Sequence, residues 1–64
     1  AFHWYRKAAE SGHPNAQFNL GVIYAKGRGV APNIEEAMIW YKLADEQGVA
    51  QAGRALTKLK KQQS

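Results

Sequence analysis

Cysteine is absent from all 64 residues of the chain. Neither a disulfide nor a thiol nucleophile is therefore available, although so short a chain usually needs disulfides, a metal or a partner for comfortable stability. The absence fits a reducing compartment without establishing one, because helical proteins also fold in oxidising compartments without disulfides. We expect one domain at most and leave the compartment open between cytoplasm and periplasm.

Long hydrophobic runs are also missing. The longest nearly apolar run, residues 20–25, has six residues and includes a glycine, whereas a membrane-crossing helix needs roughly 20 apolar residues. No basic and then apolar leader precedes the first helix, so we expect a signal peptide to be absent or already removed. The prediction is a chain without a membrane span, interpreted as a fragment of a longer protein.

Residues that carry out chemistry are scarce. His3 and His13 are the only histidines, and neither has the close partners that a zinc site of three or four ligands requires. The segment 27–29, Gly-Arg-Gly, lacks the third glycine and the preceding strand of a phosphate-binding loop. Ser11 lies at a helix end and Ser64 at the terminus, and no carboxylate is clearly buried near a base that could act with a nucleophile. We therefore predict no catalytic residue, no metal ligand and no cofactor.

Acidic residues are outnumbered, with five against nine basic residues and a net charge of +4. Four of the nine basic residues fall in the last eleven positions: Arg54, Lys58, Lys60 and Lys61. This cluster motivates an alternative hypothesis, a nucleic-acid-binding module whose affinity falls steeply with salt. We favour it less, because the aromatic residues that would stack on bases repeat at one register of a helix, which is typical of a core.

The chain does contain an internal repeat. An offset of 36 residues aligns two Trp-Tyr pairs, Trp4-Tyr5 with Trp40-Tyr41, in a chain that has only two tryptophans. The same offset aligns six further identical positions: Ala1, Ala8, Glu10, Gly12, Ala16 and Leu20 with Ala37, Ala44, Glu46, Gly48, Ala52 and Leu56. Duplication of one structural unit explains this pattern.

Each unit is predicted to be a pair of helices. The spacing of Ala37, Met38, Tyr41 and Ala44 forms a helical face, and Asn33 with Glu36 resembles a capping box that starts this helix at residue 33 or 34.

Proline and glycine mark the other boundaries. Pro14 suits the first turn of a helix, Gly12 and Gly48 suit helix ends, and residues 27–33 suit a hairpin loop. A glycine inside a helix costs about 1 kcal/mol relative to alanine, so Gly21 predicts a close helix crossing beneath Trp40 or Tyr41.

These residues resemble the Sel1-like repeat, a relative of the tetratricopeptide repeat. The resemblance rests on residues spread over two helices and a loop: Ala16-Gln17, Leu20-Gly21, Tyr24, Gly27, Gly29-Val30, Ala37, Trp40-Tyr41, Ala44 and Glu46-Gln47-Gly48. It implies an all-α fold of antiparallel helix hairpins that form part of a right-handed α-α superhelix, or solenoid. Asp45 departs from the family pattern, which usually has alanine there.

The resemblance also divides the chain. Residues 1–12 are expected to be the second helix of a truncated repeat, and residues 13–48 one complete repeat. Residues 49–64 are expected to form the first helix of a degenerate terminal repeat, acting as a C-terminal cap with a basic tail, because an array needs a polar outer face at its end.

The function that the resemblance implies is non-catalytic protein–protein interaction through the concave surface of the first helices. By analogy with tetratricopeptide geometry, the candidate partner-binding residues are Asn15, Phe18, Asn19, Val22, Lys26, Gln51, Arg54 and Lys58. Arg54 and Lys58, four residues apart on one helical face, are a candidate pair for a carboxylate or an acidic peptide; the alternative is that they only form the polar, solubilising face of the cap. A further alternative is an accessory repeat region of a larger enzyme.

Aromatic residues near the start of the chain support two expectations. The recurring pairs Trp4-Tyr5 and Trp40-Tyr41 are predicted to pack in the core between helices. Because Phe2, Trp4 and Tyr5 lack a first helix of their own, part of their apolar surface is also expected to be exposed and to support self-association.

Overall fold

The computed structural model describes residues 2–63, which form four α-helices and contain no β-strand. The helices are α1 (Phe2–Glu10), α2 (Pro14–Lys26), α3 (Ile34–Glu46) and α4 (Ala50–Gln63). Each helix packs against the next one along the chain, and the short connections reverse the chain direction each time. The prediction of an all-α fold built from helix hairpins is confirmed.

The start of α3 follows from its cap. Asn33 has extended backbone angles, φ −145° and ψ 98°, and its Oδ1 accepts a hydrogen bond of 3.1 Å from the backbone N–H of Glu36. Glu35 and Glu36 lie in the first turn, where negative charge interacts favourably with the helix dipole. The predicted start at residue 33 or 34 is therefore confirmed.

The ends of α1 and α3 are copies of one another. Gly12 and Gly48 have φ values of 96° and 99°, a conformation that a glycine adopts without a side-chain penalty. Just after these glycines, the N–H of His13 donates to the carbonyl of Ala8 and the N–H of Val49 donates to that of Ala44, both at 3.1 Å. The period of 36 residues thus governs the backbone as well as the sequence.

Gly21 permits α2 and α3 to cross closely. A Cβ atom at Gly21 would lie 2.7 Å from both Cδ1 and Cε1 of Tyr41, closer than van der Waals contact allows. The predicted close crossing is confirmed, and of the two aromatic residues proposed for it, Tyr41 is the one that covers the glycine.

The core consists of two clusters on either side of α2. The larger joins α2, α3 and α4 around the buried residues Ala37, Tyr41, Ala44, Ala52 and Leu59. The smaller joins α1, α2 and α3 around Ala9, Ala16 and Leu20, with Phe2, Tyr5, Ala8, Tyr24 and Trp40 packed against them. Small residues at the helix contacts let the helices approach closely, as in other stacked hairpin repeats.

The prediction that all four aromatic residues of the two Trp-Tyr pairs lie in the core is wrong for Trp4. Tyr41 is buried, and Tyr5 and Trp40 are partly buried. Trp4, in contrast, is 68% exposed. Its ring lies edge to face with that of Tyr5, with the ring centroids 5.3 Å apart. Trp40 packs against the cluster of α1 and α2, whereas within residues 2–63 no equivalent pair of helices lies against Trp4. The exposure expected for part of the apolar surface of α1 is found mainly at Trp4, because Phe2 is partly buried against Tyr24.

Candidate partner-binding groove

Helices α2 and α4 border a groove whose base is α3, here called the α2/α4 groove. Its volume is about 360 Å³, and it is lined by Phe18, Val22, Ala25, Lys26, Tyr41, Ala55, Lys58, Leu59 and Gln62. Four of the eight residues predicted for partner binding, Phe18, Val22, Lys26 and Lys58, are brought together in this groove.

The floor of the α2/α4 groove is formed by aromatic rings, and the packing of Tyr41 against Gly21 of α2 fixes their position. The rings of Phe18 and Tyr41 lie with centroids 5.6 Å apart at an angle of 41°, and Tyr41 rests on Gly21. Burial raises the pKa of the Tyr41 hydroxyl above its ordinary value of 10.0, so Tyr41 is neutral at physiological pH. The floor is therefore suited to an apolar side chain.

The rim of the groove is basic. Lys26 near the end of α2 and Lys58 on α4 are both exposed, and each lines the groove from a different helix. Ammonium groups beside an apolar floor favour a ligand that combines an apolar group with a carboxylate, since charge-assisted hydrogen bonds orient such a ligand.

The other four predicted residues lie elsewhere. Asn15 and Asn19 line a second groove, the α1/α2 groove, together with Trp4, Tyr5, Ala8, His13, Pro14 and Ala16. Gln51 and Arg54 are exposed on α4 and lie outside the residues that line the α2/α4 groove. Arg54 and Lys58 are therefore on one helix, but only Lys58 borders the groove.

A third groove, not anticipated from the sequence, lies between α3 and α4. This α3/α4 groove has a volume of about 610 Å³ and is lined by Glu35, Met38, Ile39, Lys42, Asp45, Glu46, Leu56 and Lys60. Ile39 is 51% exposed within it. The available signal was Ile39, an isoleucine on α3 outside the periodic apolar stripe of that helix.

Two glutamines that connect the helices were also missed. Gln17 is only 4% exposed, its Nε2 donates to the carbonyl of Ala9 at 3.1 Å, and its Oε1 accepts from Nε2 of Gln47 at 2.8 Å. The chain Ala9–Gln17–Gln47 thus joins the end of α1, the start of α2 and the end of α3. Both glutamines belong to the repeat pattern in the sequence, but nothing there showed that they meet.

Within residues 2–63, no three His, Cys, Asp or Glu side chains are grouped so that they could hold a metal ion. None of the described helices combines the length and apolar character needed to cross a membrane. An ion pair joins Arg6 Nε to Glu10 Oε2 at 3.3 Å on the surface of α1, and the separation of four residues is typical of exposed helix pairs.

The stacked hairpins, the copied helix ends and the groove between α2 and α4 define a helical repeat protein. The sequence profile of the Sel1 repeat matches residues 1–13 and 14–49. The chain therefore belongs to the Sel1 repeat family, whose repeats generally mediate protein–protein interaction.

Among curated proteins, the chain is similar to the chitin synthase regulator SKT5 of Saccharomyces cerevisiae. The two are 48% identical over 44 residues, which cover 69% of this chain but only 6% of the yeast protein. The match therefore concerns the repeat region and a small part of its relative. No solved structure matched the chain.

Proposed function

We propose that this chain is a non-catalytic interaction module that binds a protein segment in the α2/α4 groove, and that the segment pairs an apolar side chain with neighbouring carboxylates. The observation that carries the proposal is the Phe18–Tyr41 floor between Lys26 and Lys58. Burying one large apolar side chain contributes about 1.5–3 kcal/mol. The two lysines add orientation and selection for negative charge.

The identity of the yeast relative is in keeping with this proposal. By its name SKT5 regulates chitin synthase, and regulation through protein contact needs no catalytic residues in the repeat. The alternative that the repeats are an accessory region of a larger enzyme shares the same binding mode and differs only in what else the full-length protein contains.

The nucleic-acid alternative is less well supported by the distribution of charge on α4. Lys58 borders the α2/α4 groove, whereas Lys60 borders the α3/α4 groove beside Glu35, Asp45 and Glu46. A backbone-tracking site needs a continuous basic stripe, and here carboxylates interrupt the basic residues. We therefore favour an acidic peptide over an RNA or DNA strand.

A direct test uses the 64-residue chain and a fluorescein-labelled peptide of alternating leucine and glutamate residues, with binding followed by fluorescence anisotropy. Lys58→Glu should weaken binding by about tenfold, equivalent to 1.4 kcal/mol. The matched control is Arg54→Glu, which makes the same charge change four residues away on the same helix but outside the groove. Circular dichroism should show equal helicity for both variants.

Three outcomes would count against the proposal. Equal loss in the two variants would mean that only overall charge matters, and equal retention would place recognition on another surface. Binding of a single-stranded oligonucleotide with a steep salt dependence, at an affinity above that of the peptide, would favour the nucleic-acid alternative.

A further inference from the structure

Tyr41 has a hydroxyl at the floor of the α2/α4 groove that the fold leaves without a partner. Its side chain is only 4% exposed, and within residues 2–63 its hydroxyl forms no hydrogen bond. Among the polar atoms of buried and half-buried side chains in this range, only Trp40 Nε1 is both unpaired and shielded from solvent. The unpaired Tyr41 hydroxyl is therefore accessible to solvent.

This hydroxyl opens into the α2/α4 groove. Tyr41 lines that groove and neither of the other two grooves, so the solvent that reaches its hydroxyl is in the α2/α4 groove. Burial raises the pKa of Tyr41, so the phenol is protonated at neutral pH and can donate a hydrogen bond to an anionic oxygen. The groove thus has a fixed donor at its floor that no group of the fold uses.

The positive charge of the groove is also unbalanced. Within residues 2–63, neither Lys26 nor Lys58 forms an ion pair, and none of the described residues that line the groove is acidic. The α3/α4 groove, by contrast, has three carboxylates beside its lysines. A ligand of the α2/α4 groove therefore meets two unpaired ammonium groups and an unpaired hydroxyl.

The repeat period indicates which lysine is close to the aromatic floor. The equivalent of Lys58 is Val22, which lines the groove from α2. Because α2 and α4 both run antiparallel to α3 and repeat at this period, Lys58 lies across the groove from Val22, next to the Gly21 that Tyr41 covers. Lys26 follows one helical turn further along α2. Lys58 is therefore the lysine at the level of the Tyr41 ring.

The α2/α4 groove is small, about 360 Å³, and its apolar and polar groups line the same space. Side chains of consecutive residues point to opposite faces of an extended peptide, so a leucine in the groove directs an adjacent glutamate away from it. The last residue of a protein chain is different, because its side chain and its carboxylate are attached to the same α-carbon. Such a residue brings both groups into the groove together.

We propose that the α2/α4 groove binds the C-terminal residue of a partner protein, with its apolar side chain on the Phe18 ring and its α-carboxylate between the Tyr41 hydroxyl and the Lys58 ammonium group. Lys26 adds attraction for negative charge from one turn away. The proposal rests on the proposed function of this groove and names the part of the partner that is recognised.

Two peptides that differ only in their last group provide the central test. Both are N-acetylated Gly-Ser-Gly-Ser-Leu, one with a free C-terminal carboxylate and the other with a C-terminal amide. NMR titration of the ¹⁵N-labelled 64-residue chain gives the two dissociation constants. The acid should bind at least about tenfold more tightly than the amide, because only the acid forms charge-assisted hydrogen bonds in the groove.

Two variants connect this preference to named groups. Tyr41→Phe removes the hydroxyl and keeps the ring, and Lys58→Gln removes the charge. Each should lower the preference for acid over amide by about three- to tenfold, with little change in the binding of the amide. A purely structural effect would weaken both peptides equally. Arg54→Gln, one turn away on α4 and outside the groove, is the matched control and should keep the full preference.

The contribution of the side chain needs a third peptide. The acid peptide that ends in glycine in place of leucine keeps the carboxylate but leaves the Phe18 ring uncovered. It should bind at least about tenfold more weakly than the leucine acid. Equal binding of the two acids would mean that charge alone is recognised, which would contradict the proposal.

The remaining outcomes separate this proposal from the broader one. If an alternating leucine-glutamate peptide with an amidated C-terminus binds in a Lys58-dependent way, while the leucine acid and amide bind equally, the groove accepts internal acidic segments and the C-terminal proposal is wrong. If none of the peptides binds, both proposals fail.

Two further results would also overturn the proposal. A preference for the acid that is unchanged in both Tyr41→Phe and Lys58→Gln would place the carboxylate elsewhere. Hexanoate has an apolar chain and a carboxylate but no peptide group. Tighter binding of hexanoate than of the leucine acid would mean that the ligand is a small carboxylic acid and not a protein terminus.

Discussion

Gly53 of α4 lies directly against Asp45 of α3, since a Cβ atom at Gly53 would be 2.5 Å from the Asp45 Oδ1. One repeat earlier the same two positions hold Gln17 and Ala9, and there the Gln17 side chain donates to the Ala9 carbonyl. In the earlier contact the first helix has the small residue, Ala9, and the second helix has the large one, Gln17. In the later contact the first helix has the larger residue, Asp45, and the second helix has glycine. The departure of Asp45 from the family pattern is explained by the glycine opposite it.

This exchange predicts that the two positions are energetically coupled. Asp45→Ala combined with Gly53→Gln should recreate the earlier contact, whereas Gly53→Gln alone brings a long side chain against the Asp45 carboxylate. We expect a coupling free energy of roughly 0.5–3 kcal/mol in favour of the double variant. Urea denaturation of the four proteins of the cycle measures it, and strict additivity would contradict the structural explanation.

The two helical glycines should respond differently to alanine. Gly21→Ala places a methyl group against the ring of Tyr41, which is packed in the core, and overpacking of this kind costs about 1–3 kcal/mol. Gly53→Ala meets only the end of the exposed Asp45 side chain, which can rotate away. There the gain in helix propensity, about 1 kcal/mol, should dominate.

Thermal unfolding followed by circular dichroism should therefore give a lower midpoint for Gly21→Ala and an equal or higher one for Gly53→Ala. The second variant serves as the control for the first, because both make the same chemical change inside a helix. Equal effects of the two substitutions would show that the Tyr41 contact is not limiting.

The buried glutamine should matter more than its exposed partner. Gln17→Leu removes two hydrogen bonds, the one that Nε2 donates to the Ala9 carbonyl and the one that Oε1 accepts from Gln47. Each contributes about 0.5–1.5 kcal/mol. Gln47→Ala removes only the bond to the Gln17 Oε1 from an exposed residue, so we expect about 0.5–1.5 kcal/mol. Urea midpoints will rank the two variants, and a larger loss for Gln47→Ala would contradict this assignment.

Tyr41 predicts a loss of stability in alkali. Burial raises its pKa in the folded protein above 10.0, so the unfolded chain releases the Tyr41 proton at a lower pH than the folded chain does. The contribution is complete below the unfolded pKa and is lost as the pH rises through the folded pKa.

The comparison with Tyr41→Phe isolates this group, because the two proteins differ only in the Tyr41 hydroxyl. The difference in free energy of unfolding between wild type and variant should be constant below about pH 10 and should then change in favour of the phenylalanine. A difference that stays constant through the alkaline range would mean that Tyr41 is solvated in the folded state.

Sequence alone determined the helices and the repeat. Capping at Asn33, glycine at the helix ends and the 36-residue period are local or periodic signals, and each of them depends on neighbouring residues rather than on distant contacts. For this reason the all-α hairpin fold could be predicted from the sequence. The close crossing at Gly21 could also be predicted, because a glycine inside a helix is unfavourable without such a contact. The division into a truncated, a complete and a terminal repeat, with its cap, stays a prediction.

Tertiary structure decided which side of each helix meets which neighbour. Trp4 and Trp40 have equivalent positions in the repeat, yet among residues 2–63 only Trp40 has a helix pair packed against it. Identical local signals therefore gave an exposed Trp4 and a partly buried Trp40. The predicted partner-binding residues also lie on different surfaces. Lys58, for example, borders the α2/α4 groove, whereas Arg54, one helical turn away, does not. Burial and grooves depend on the packing of several helices at once, and no single stretch of the sequence contains that information.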